Sequence, residues 1–182
     1  MPRNRQDVDR EEKVSAIVAV AARQLKQGGV AALSVAGIAR ELGLAHNAIR
    51  WYFPTRDELL VAAMRHLVGH LVARKPTASK DPRQKAVWFA DQLYRHAALR
   101  AAVYERARSS EVVADFMREF QEALRGLVAL LLTGDRSRRS VAIDAFLAAL
   151  EGALLIDDAE QRAAVVTCAF DAFAPEAAKT GS

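Results

Sequence analysis

The stretch that decides the fold is residues 34–60, which read SVAGIARELGLAHNAIRWYFPTRDELL. After Ser34, whose hydroxyl can cap a helix, apolar residues recur at helical spacing from Val35 to Leu42. Gly43 follows at the point where a helix would end in the left-handed conformation, which glycine adopts at little cost. The pattern therefore predicts a short helix that stops at a tight glycine turn.

A second short helix is predicted immediately after this turn, from about His46 to Trp51. Leu44 re-enters the core ahead of it, and Ile49 is expected to point inward with Leu44. Two short helices joined by a glycine turn form a helix-turn-helix, whose second helix usually reads the major groove of DNA. The stretch therefore predicts a DNA-binding head.

A third helix, at about 55–74, is predicted to begin with a capping box formed by Thr55 and Glu58. Threonine at the cap and glutamate three residues later can each accept a hydrogen bond from the other residue's backbone N–H. The backbone N–H groups at the start of this helix favour a phosphate. We therefore expect its first turn to lie near a DNA backbone.

Part of this stretch follows the sequence motif of a known protein family. The motif begins with an aromatic residue, Phe and a residue of any type. It continues with Ser, Thr or Asn, then Lys or Arg, then two residues of any type and Leu. The matching residues, including those of the preceding turn, are Gly43, Leu44, Ile49, Tyr52, Phe53, Pro54, Thr55, Arg56 and Leu59. With them the chain resembles the DNA-binding domain of the TetR family of transcriptional regulators, over about residues 10–75. The resemblance implies a dimeric, ligand-responsive regulator, most often a repressor, whose two heads enter successive major grooves of a near-palindromic operator.

The two faces of the second short helix can be assigned because it is so short. With Ile49 pointing inward, His46, Asn47 and Arg50 lie on the opposite side. Arginine can bond guanine bidentately and asparagine can bond adenine, so these three are candidates for base-edge contacts. A solvated surface histidine remains the alternative for His46. The chain departs from the family at Ala45, which has no capping hydroxyl, and at Arg50, where the family more often has Tyr, so Arg50 contacts either a base or a phosphate.

Two interpretations remain open for the aromatic residues Trp51, Tyr52 and Phe53. One is an aromatic plug between helices, which is the interpretation adopted for Phe53. The other is a phosphate contact, which the resemblance implies for Tyr52 and which Trp51 could make through its indole N–H. The resemblance also implies a phosphate contact for Arg56. The full set of expected DNA-contacting residues is Ser34, His46, Asn47, Arg50, Trp51, Tyr52 and Arg56.

Charge is unevenly distributed along the chain, whose formal net charge is +4. Residues 1–75 hold 12 Lys and Arg against 7 Asp and Glu, whereas residues 76–182 hold 14 against 15. A basic excess beside a helix-turn-helix suits a polyanion such as double-stranded DNA. Taken alone, the same excess would be compatible with a solvated surface.

Composition and motifs argue against several other classes of protein. The single cysteine, Cys168, rules out an intramolecular disulfide and a multi-cysteine zinc site. The charged N-terminus lacks an apolar signal core and no apolar run could span a membrane, so a soluble cytoplasmic protein without membrane contact is expected. His66 and His70 are four residues apart but no third ligand is near, so no metal is expected. Catalytic motifs and phosphate-binding glycine loops are absent from the sequence, so neither an enzyme nor a cofactor is expected.

The expected fold class is all-α, because Ala and Leu are abundant whereas Gly and Pro are few. The expected architecture is an N-terminal three-helix head, formed by a first helix from about Arg10 to Lys26 and the two short helices, followed by a helical bundle that dimerises through its last two helices. The expected domains are a helix-turn-helix DNA-binding domain at 1–53, a connecting helix at 55–74, and a ligand-binding and dimerisation domain at 76–182. Further helices are predicted at about 82–97, 99–108, 110–132, 137–156 and 159–173.

Aromatic residues in the middle of the chain suggest a pocket for a small, largely apolar effector. Ordinary helix-bundle core is the alternative for each of them, and only two or three are expected to touch a ligand. The candidates are Trp88, Phe89, Tyr94, Tyr104, Phe116, Met117 and Phe120.

The last two predicted helices are too apolar to face solvent on all sides, and they carry small residues that permit close approach. Pairing with a second copy into a four-helix bundle is therefore expected. Packing within one subunit is the alternative. The residues expected at the interface of the homodimer are Val141, Phe146, Ala149, Leu150, Ala153, Val166 and Phe170.

The alternative to a regulator is a regulator-like helical protein that binds a small molecule, or serves as an adaptor, without binding DNA. The two hypotheses differ in a measurable property, because phosphate contacts give DNA affinity a steep negative dependence on salt. The sequence identifies neither the effector nor the operator.

Overall fold

The computed structural model of the chain describes residues 5–73, 81–133, 135 and 140–174, with the backbone alone for residues 5–8. All secondary structure in these residues is helical, so the all-α fold class is confirmed. None of the helices in this part of the chain is both long and apolar enough to span a membrane. A 3-10 turn, Val30–Ala32, precedes the second α-helix. The α-helices are α1 (Arg5–Gly28), α2 (Val35–Glu41), α3 (His46–Tyr52), α4 (Arg56–Ala73), α5 (Pro82–Arg95), α6 (Ala97–Ala107), α7 (Glu111–Thr133), α8 (Val141–Ala153) and α9 (Ala159–Phe173).

Local capping signals determine where several helices begin and end. Gly29 separates α1 from the 3-10 turn with a φ of +64°, which its lack of a Cβ makes accessible. Asp81 caps α5 by accepting the N–H of Arg83 at 2.9 Å. Asp158 caps α9 by accepting a backbone N–H at 2.7 Å. The predicted starts of α5 and α9 are therefore confirmed.

Some predicted boundaries differ from the structure by two or three residues. α6 begins at Ala97, two residues earlier than predicted, because only His96 separates it from α5. α8 ends at Ala153, before the predicted Ile156. It begins behind a cap at Ser140, and the predicted start near 137 lies outside the described residues.

The described residues form two compact units that do not follow the order of the chain. The first unit contains residues 5–73 together with Ala98–Met117. The second contains residues 81–97 and the described residues after Met117, so the division falls within α7. The predicted domains, divided near residue 76, did not anticipate that α6 and the start of α7 group with the N-terminal helices.

Contacts between residues far apart in sequence account for this grouping in the first unit. Arg106 of α6 forms an ion pair with Asp57 of α4. Val103, Val113 and Phe116, from α6 and the first half of α7, are all buried. Burial of these apolar side chains removes them from water and stabilises the unit.

In the first unit α1 packs along α4. Ile17, Ala21 and Leu25 of α1, and Leu59 and Ala63 of α4, are each at most 1% exposed. α2 contacts both α1 and α3. The packed helices α1 and α4 therefore support α2 and, through α2, also α3.

In the second unit α5 and α8 both pack against α9. Phe146 of α8 and Phe170 of α9 meet edge to face with ring centroids 6.3 Å apart, a favourable arrangement for aromatic rings. Arg162 is only 4% exposed, and its guanidinium lies 3.7 Å from the centroid of the Tyr94 ring. Its Nη1 donates to the carbonyl of Ile156 at 2.6 Å, which stabilises the connection between α8 and α9.

Candidate nucleic-acid interface

The start and the end of α2 are held by local hydrogen bonds. The Oγ of Ser34 accepts the N–H of Gly37 at 3.1 Å, as the predicted cap requires. Gly43 has a φ of +64°, and the N–H of Leu44 donates to the carbonyl of Ala39 at 2.8 Å. This closure around a left-handed glycine is a Schellman motif, which ends a helix and turns the chain sharply. α3 therefore leaves α2 in a defined direction.

α3 presents a polar row to solvent. Ile49 is fully buried, whereas His46, Asn47 and Arg50 are exposed, so the predicted inner and outer faces of this helix are confirmed. Ala45 precedes the helix in an extended conformation and makes no side-chain cap. The exposed imidazole, carboxamide and guanidinium can all bond to base edges. Their contact with DNA stays a prediction.

Trp51 lies near the end of α3 with 83% of its surface exposed. The aromatic-plug interpretation is therefore wrong for Trp51, because most of its ring faces solvent. Tyr52 and Phe53 are half-buried. Trp51 follows Asn47 by one helical turn, which places both side chains on the same side of α3.

α4 begins with the predicted capping box. The N–H of Thr55 donates to Oε2 of Glu58 at 2.8 Å, and the N–H of Glu58 donates to Oγ1 of Thr55 at 3.1 Å. The reciprocal pair satisfies two backbone donors at the start of the helix. It orders the turn that carries Arg56 and Asp57.

Arg56 reaches back to the segment that precedes α2. Its Nη2 donates to the carbonyl of Val30 at 2.7 Å, and its Nε donates to the carbonyl of Leu33 at 3.2 Å. Two of its N–H groups are thus bound by the protein itself. This use of Arg56 was not predicted, because its partners lie 26 and 23 residues earlier in the sequence. The expected phosphate contact stays a prediction.

Gln24 of α1 holds the same segment and was not a predicted site residue. Its Oε1 accepts the N–H of Ser34 at 2.9 Å. Its neighbour Arg23 forms an ion pair with Glu41 at the end of α2. No local motif marks a polar side chain of α1 as a partner of α2. The one available signal was the cap residue Ser34, whose own N–H needs an acceptor.

Asp57 forms two parallel hydrogen bonds with Arg106, from Nε to Oδ1 at 2.8 Å and from Nη2 to Oδ2 at 2.7 Å. The Arg106 guanidinium holds the pKa of the Asp57 carboxyl below its ordinary value, although partial burial acts in the opposite direction. Asp57 is therefore ionised at neutral pH. The first turn of α4 is tied to the segment before α2 through Arg56 and to α6 through Asp57.

Comparison with known proteins finds relatives of this head. Residues 17–63, from α1 into α4, match the family model for bacterial regulatory proteins of the tetR family. A stretch of 83 residues is 34% identical to the HTH-type transcriptional regulator PksA of Bacillus subtilis (strain 168), covering 44% of this chain and 40% of PksA. The chain thus matches less than half the length of that curated relative.

Two solved structures share the fold over most of the chain. A TetR transcription regulator from Haloarcula marismortui superposes with a TM-score of 0.69 at 20% identity, covering 90% of this chain and 98% of that chain. A transcriptional regulator from Rhodococcus sp. Rha1 superposes with a TM-score of 0.67 at 22% identity, covering 88% and 95%. At these identities the likeness concerns the fold.

The head of this chain belongs to the tetR family of bacterial regulatory proteins. The residues that carry the family motif, from Gly43 to Leu59, lie on the turn after α2, on α3 and at the start of α4. The resemblance drawn from the sequence is therefore confirmed.

The residues expected to line an effector pocket are divided between the two units. Tyr104, Phe116 and Met117 lie in the first unit, where Phe116 and Met117 are buried and Tyr104 is exposed. The others lie in the second unit, and all but Trp88 pack against its core, as the alternative interpretation expects. These others are Trp88, Phe89, Tyr94 and Phe120.

The second unit has an open cavity of about 530 Å³ beside α5 and α9. Trp88 is the one predicted effector residue among those that line it. The polar residues of the lining carry two carboxylates, a guanidinium, an amide and a hydroxyl. The lining residues are Asp81, Arg83, Gln84, Val87, Trp88, Asp91 and Thr167.

The residues expected at the dimer interface are mostly buried within one subunit. Five of the seven are at most 2% exposed, because α8 and α9 use them to pack against each other and against α5. Val141, by contrast, is 84% exposed, and Ala149 is half-buried. The interface assignment is therefore wrong for Phe146, Leu150, Ala153, Val166 and Phe170.

A different set of residues on α8 and α9, here called the outer row, faces solvent. Val141 at the start of α8 and Leu155 just after its end are 84% and 86% exposed. Exposed apolar side chains in a continuous row often mark a protein–protein contact. The small residues of the outer row are Ala148 and Gly152 on α8, and Ala164, Cys168 and Ala172 on α9.

His66 and His70 lie edge to face on α4, with ring centroids 4.3 Å apart. Burial, followed by electrostatic repulsion from His70 and Lys26, lowers the pKa of His66 below its ordinary value. Within the described residues, no cluster of three or more His, Cys, Asp or Glu is placed to hold a metal ion.

Proposed function

We propose that this chain is a DNA-binding transcriptional regulator whose α3 enters the major groove. The observation that carries the proposal is the exposed row of His46, Asn47, Arg50 and Trp51 on a helix oriented by the Gly43 turn. Arg50 bonds a guanine edge or a phosphate, Asn47 bonds an adenine edge, and His46 bonds a neighbouring base. These contacts select the operator sequence.

Contacts with the DNA backbone set the register of the head in this proposal. Ser34, Trp51 and Tyr52 lie on or next to α2 and α3 and contact phosphates or sugars. The basic excess of residues 1–75 supplies the attraction between the head and the DNA. Membership of the TetR family and the description of PksA as an HTH-type transcriptional regulator support the proposal.

Selection of genomic fragments by the purified chain, followed by titration of the enriched DNA over a range of salt concentrations, tests the proposal. We expect specific binding and a steep negative slope of log affinity against log salt concentration. A flat response, both with the selected DNA and with the DNA upstream of the chain's own gene, would contradict the regulator. It would favour a small-molecule-binding protein or an adaptor without DNA binding.

Substitutions on α3 test the assignment of individual residues. Arg50→Ala is expected to weaken operator binding by about 1–3 kcal/mol, and Asn47→Ala to relax the preference at one base pair. Arg108→Ala is the control, since this arginine lies just after α6 with its side chain 80% exposed, and it is expected to leave binding unchanged. Equal effects of all three substitutions would contradict the assignment.

We further propose that two copies pair through the outer row of α8 and α9 and bind a near-palindromic operator. The two-fold symmetry of such a homodimer places two heads in successive major grooves. Val141→Asp and Leu155→Asp are expected to produce monomers in sedimentation velocity. Val112→Asp is the control, because Val112 is an exposed valine of the first unit. A dimer that withstands both outer-row substitutions would contradict this interface.

We propose that the regulator is a repressor that a small-molecule effector releases from its operator in the cytoplasm. The effector acts by binding one conformation of the chain more tightly than the other. Family membership supports this role, and the cavity beside Trp88 has a suitable size for a small ligand. The compounds to titrate are the substrates of enzymes whose genes lie beside the selected operators. Compounds that bind the chain without changing its DNA affinity would contradict the response.

A further inference from the structure

One peptide unit of the head is held at both ends by side chains from two other helices. The carbonyl of Leu33 accepts a hydrogen bond from Nε of Arg56 at 3.2 Å. The N–H of Ser34, in the same peptide unit, donates to Oε1 of Gln24 at 2.9 Å. Nη2 of Arg56 adds a bond to the carbonyl of Val30 at 2.7 Å. Side chains of α1 and α4 therefore hold the backbone at the start of α2 in place.

The position of this peptide unit determines where α2 begins. Ser34 caps α2, and its Oγ accepts the N–H of Gly37 at 3.1 Å. The packing there is close, since a Cβ on Gly37 would lie 3.2 Å from Nε2 of Gln24 and 3.3 Å from Oγ of Ser34. A shift of the peptide unit therefore displaces α2, and α3 follows through the turn at Gly43.

The geometry of Arg56 suits a clamp on the backbone. Nε and Nη2 lie on one edge of the planar guanidinium, so their N–H groups point in the same direction. Both donate to carbonyl oxygens of the segment before α2. This edge, which could bind a phosphate bidentately, is occupied by two protein oxygens. The adjacent Asp57 is bound by Arg106, which steadies the turn from which Arg56 reaches back.

We propose that Arg56 is a positioning residue for DNA binding, which orients α2 and α3 through the Leu33–Ser34 peptide unit, and not the phosphate ligand that the family motif implies. This role rests on the proposed function of the chain as a DNA-binding regulator. A lysine, which the family motif also allows, carries all its donors on one nitrogen and does not reproduce the planar fork.

Arg56→Lys separates the two roles, because it keeps the positive charge and loses the fork. The probes are the selected operator fragment and a random-sequence duplex several helical turns long. We expect Arg56→Lys and Arg56→Ala both to bind the operator at least about tenfold more weakly than the wild type. On the random duplex we expect Arg56→Ala to keep the wild-type salt slope. If Arg56 were instead a phosphate ligand, Arg56→Lys would retain operator affinity. Arg56→Ala would then remove one phosphate contact and reduce the magnitude of the salt slope by about 0.9.

A second measurement requires no DNA. Hydrogen exchange of the Ser34 and Gly37 amides is expected to accelerate in Arg56→Lys and in Gln24→Ala, whereas exchange of the Phe170 amide in the second unit stays unchanged. If neither duplex binds the wild-type chain, the proposed function fails, and the exchange rates alone then decide whether Arg56 clamps the peptide unit. Retained operator affinity in Arg56→Lys overturns the positioning role, whatever the exchange rates.

Discussion

Arg106 of α6 binds both carboxylate oxygens of Asp57, in the first turn of α4, at 2.8 Å and 2.7 Å. The carboxylate side chain is 17% exposed and the arginine side chain 47% exposed. Two parallel hydrogen bonds between a guanidinium and a carboxylate fix the relative orientation of the two groups as well as the distance between them. The pair therefore fixes α6 against the start of α4, although the two residues are 49 positions apart in the sequence.

Asp57→Asn is expected to lower stability at neutral pH, and the difference from the wild type is expected to vanish in acid. Because the folded-state pKa of Asp57 is lowered, its stabilisation is fully present above the ordinary carboxyl pKa of about 4. The stabilisation is lost as the pH falls through the folded-state pKa. Thermal midpoints of both proteins, measured from neutral pH downward, test this prediction.

Arg108→Gln provides the control for the Asp57 experiment. Arg108 pairs with Glu105 at 3.7 Å, and both side chains are at least 75% exposed, so its removal is expected to change nothing measurable. A midpoint difference between Asp57→Asn and the wild type that stays constant at every pH would contradict the role of the ionised carboxylate.

Gly43→Ala is expected to destabilise the chain by about 1 kcal/mol, since alanine is strained at a φ of +64°. A Cβ at this position would meet nothing within 4 Å, so the effect comes from the backbone alone. Gly69→Ala in α4 has equally open surroundings and is expected to stabilise by roughly 0.5–1 kcal/mol. Urea unfolding measures the free energy of unfolding of both variants. If that free energy changed in the same direction in both, the left-handed conformation of Gly43 would be excluded as the cause.

Ala45→Ser is expected to stabilise the chain by about 1 kcal/mol. Ala45 already has the extended conformation of a cap residue, with φ −62° and ψ 141°, and lacks only the hydroxyl. Ser34→Ala is the reciprocal control, because it removes the cap of α2 and is expected to destabilise by a similar amount. If Ala45→Ser lowers the free energy of unfolding, the start of α3 lacks the geometry of a cap.

The fluorescence of Trp51 is expected to change when the selected operator is added. Its indole is 83% exposed in the free chain, and contact with DNA replaces surrounding water. The chain has two tryptophans, so Trp88→Phe leaves Trp51 as the only reporter, and Trp51→Phe supplies the control. Unchanged Trp51 emission at operator concentrations that saturate binding would show that this end of α3 lies away from the DNA.

Labelling of Cys168 by a thiol reagent is expected to slow as the protein concentration rises. This exposed cysteine belongs to the outer row of α9, which the proposed dimer covers. Leu155→Asp is expected to restore fast labelling at high concentration by favouring the monomer. Fast labelling of a wild-type dimer would place the interface on another surface.

The head was largely predictable because its signals act over a few residues. Gly43 ends α2, Thr55 and Glu58 begin α4, and Ile49 faces inward, and each of these features depends on neighbours one or two turns away. For Trp51, two interpretations remained open at the level of the sequence. Aromatic character alone did not distinguish a buried ring from an exposed one.

The outer surface of the second unit was not predictable in the same way. α8 carries apolar residues on more than one side, so helical spacing could not separate Phe146, which is buried, from Val141, which is exposed. The distinction depends on which neighbours pack against the helix. Here α9 and the rest of the second unit cover Phe146 and leave Val141 in solvent.

The sequence by itself determined the helical character of the chain, the turn at Gly43 and the motif that the TetR family shares. Only the tertiary structure decided that Arg56 bonds the carbonyls of Val30 and Leu33, and that Asp57 bonds Arg106. Caps, left-handed glycines and apolar spacing operate within a few residues and can be recognised in any short stretch. Partners dozens of residues apart are brought together by packing of the whole unit, and no local pattern specifies them.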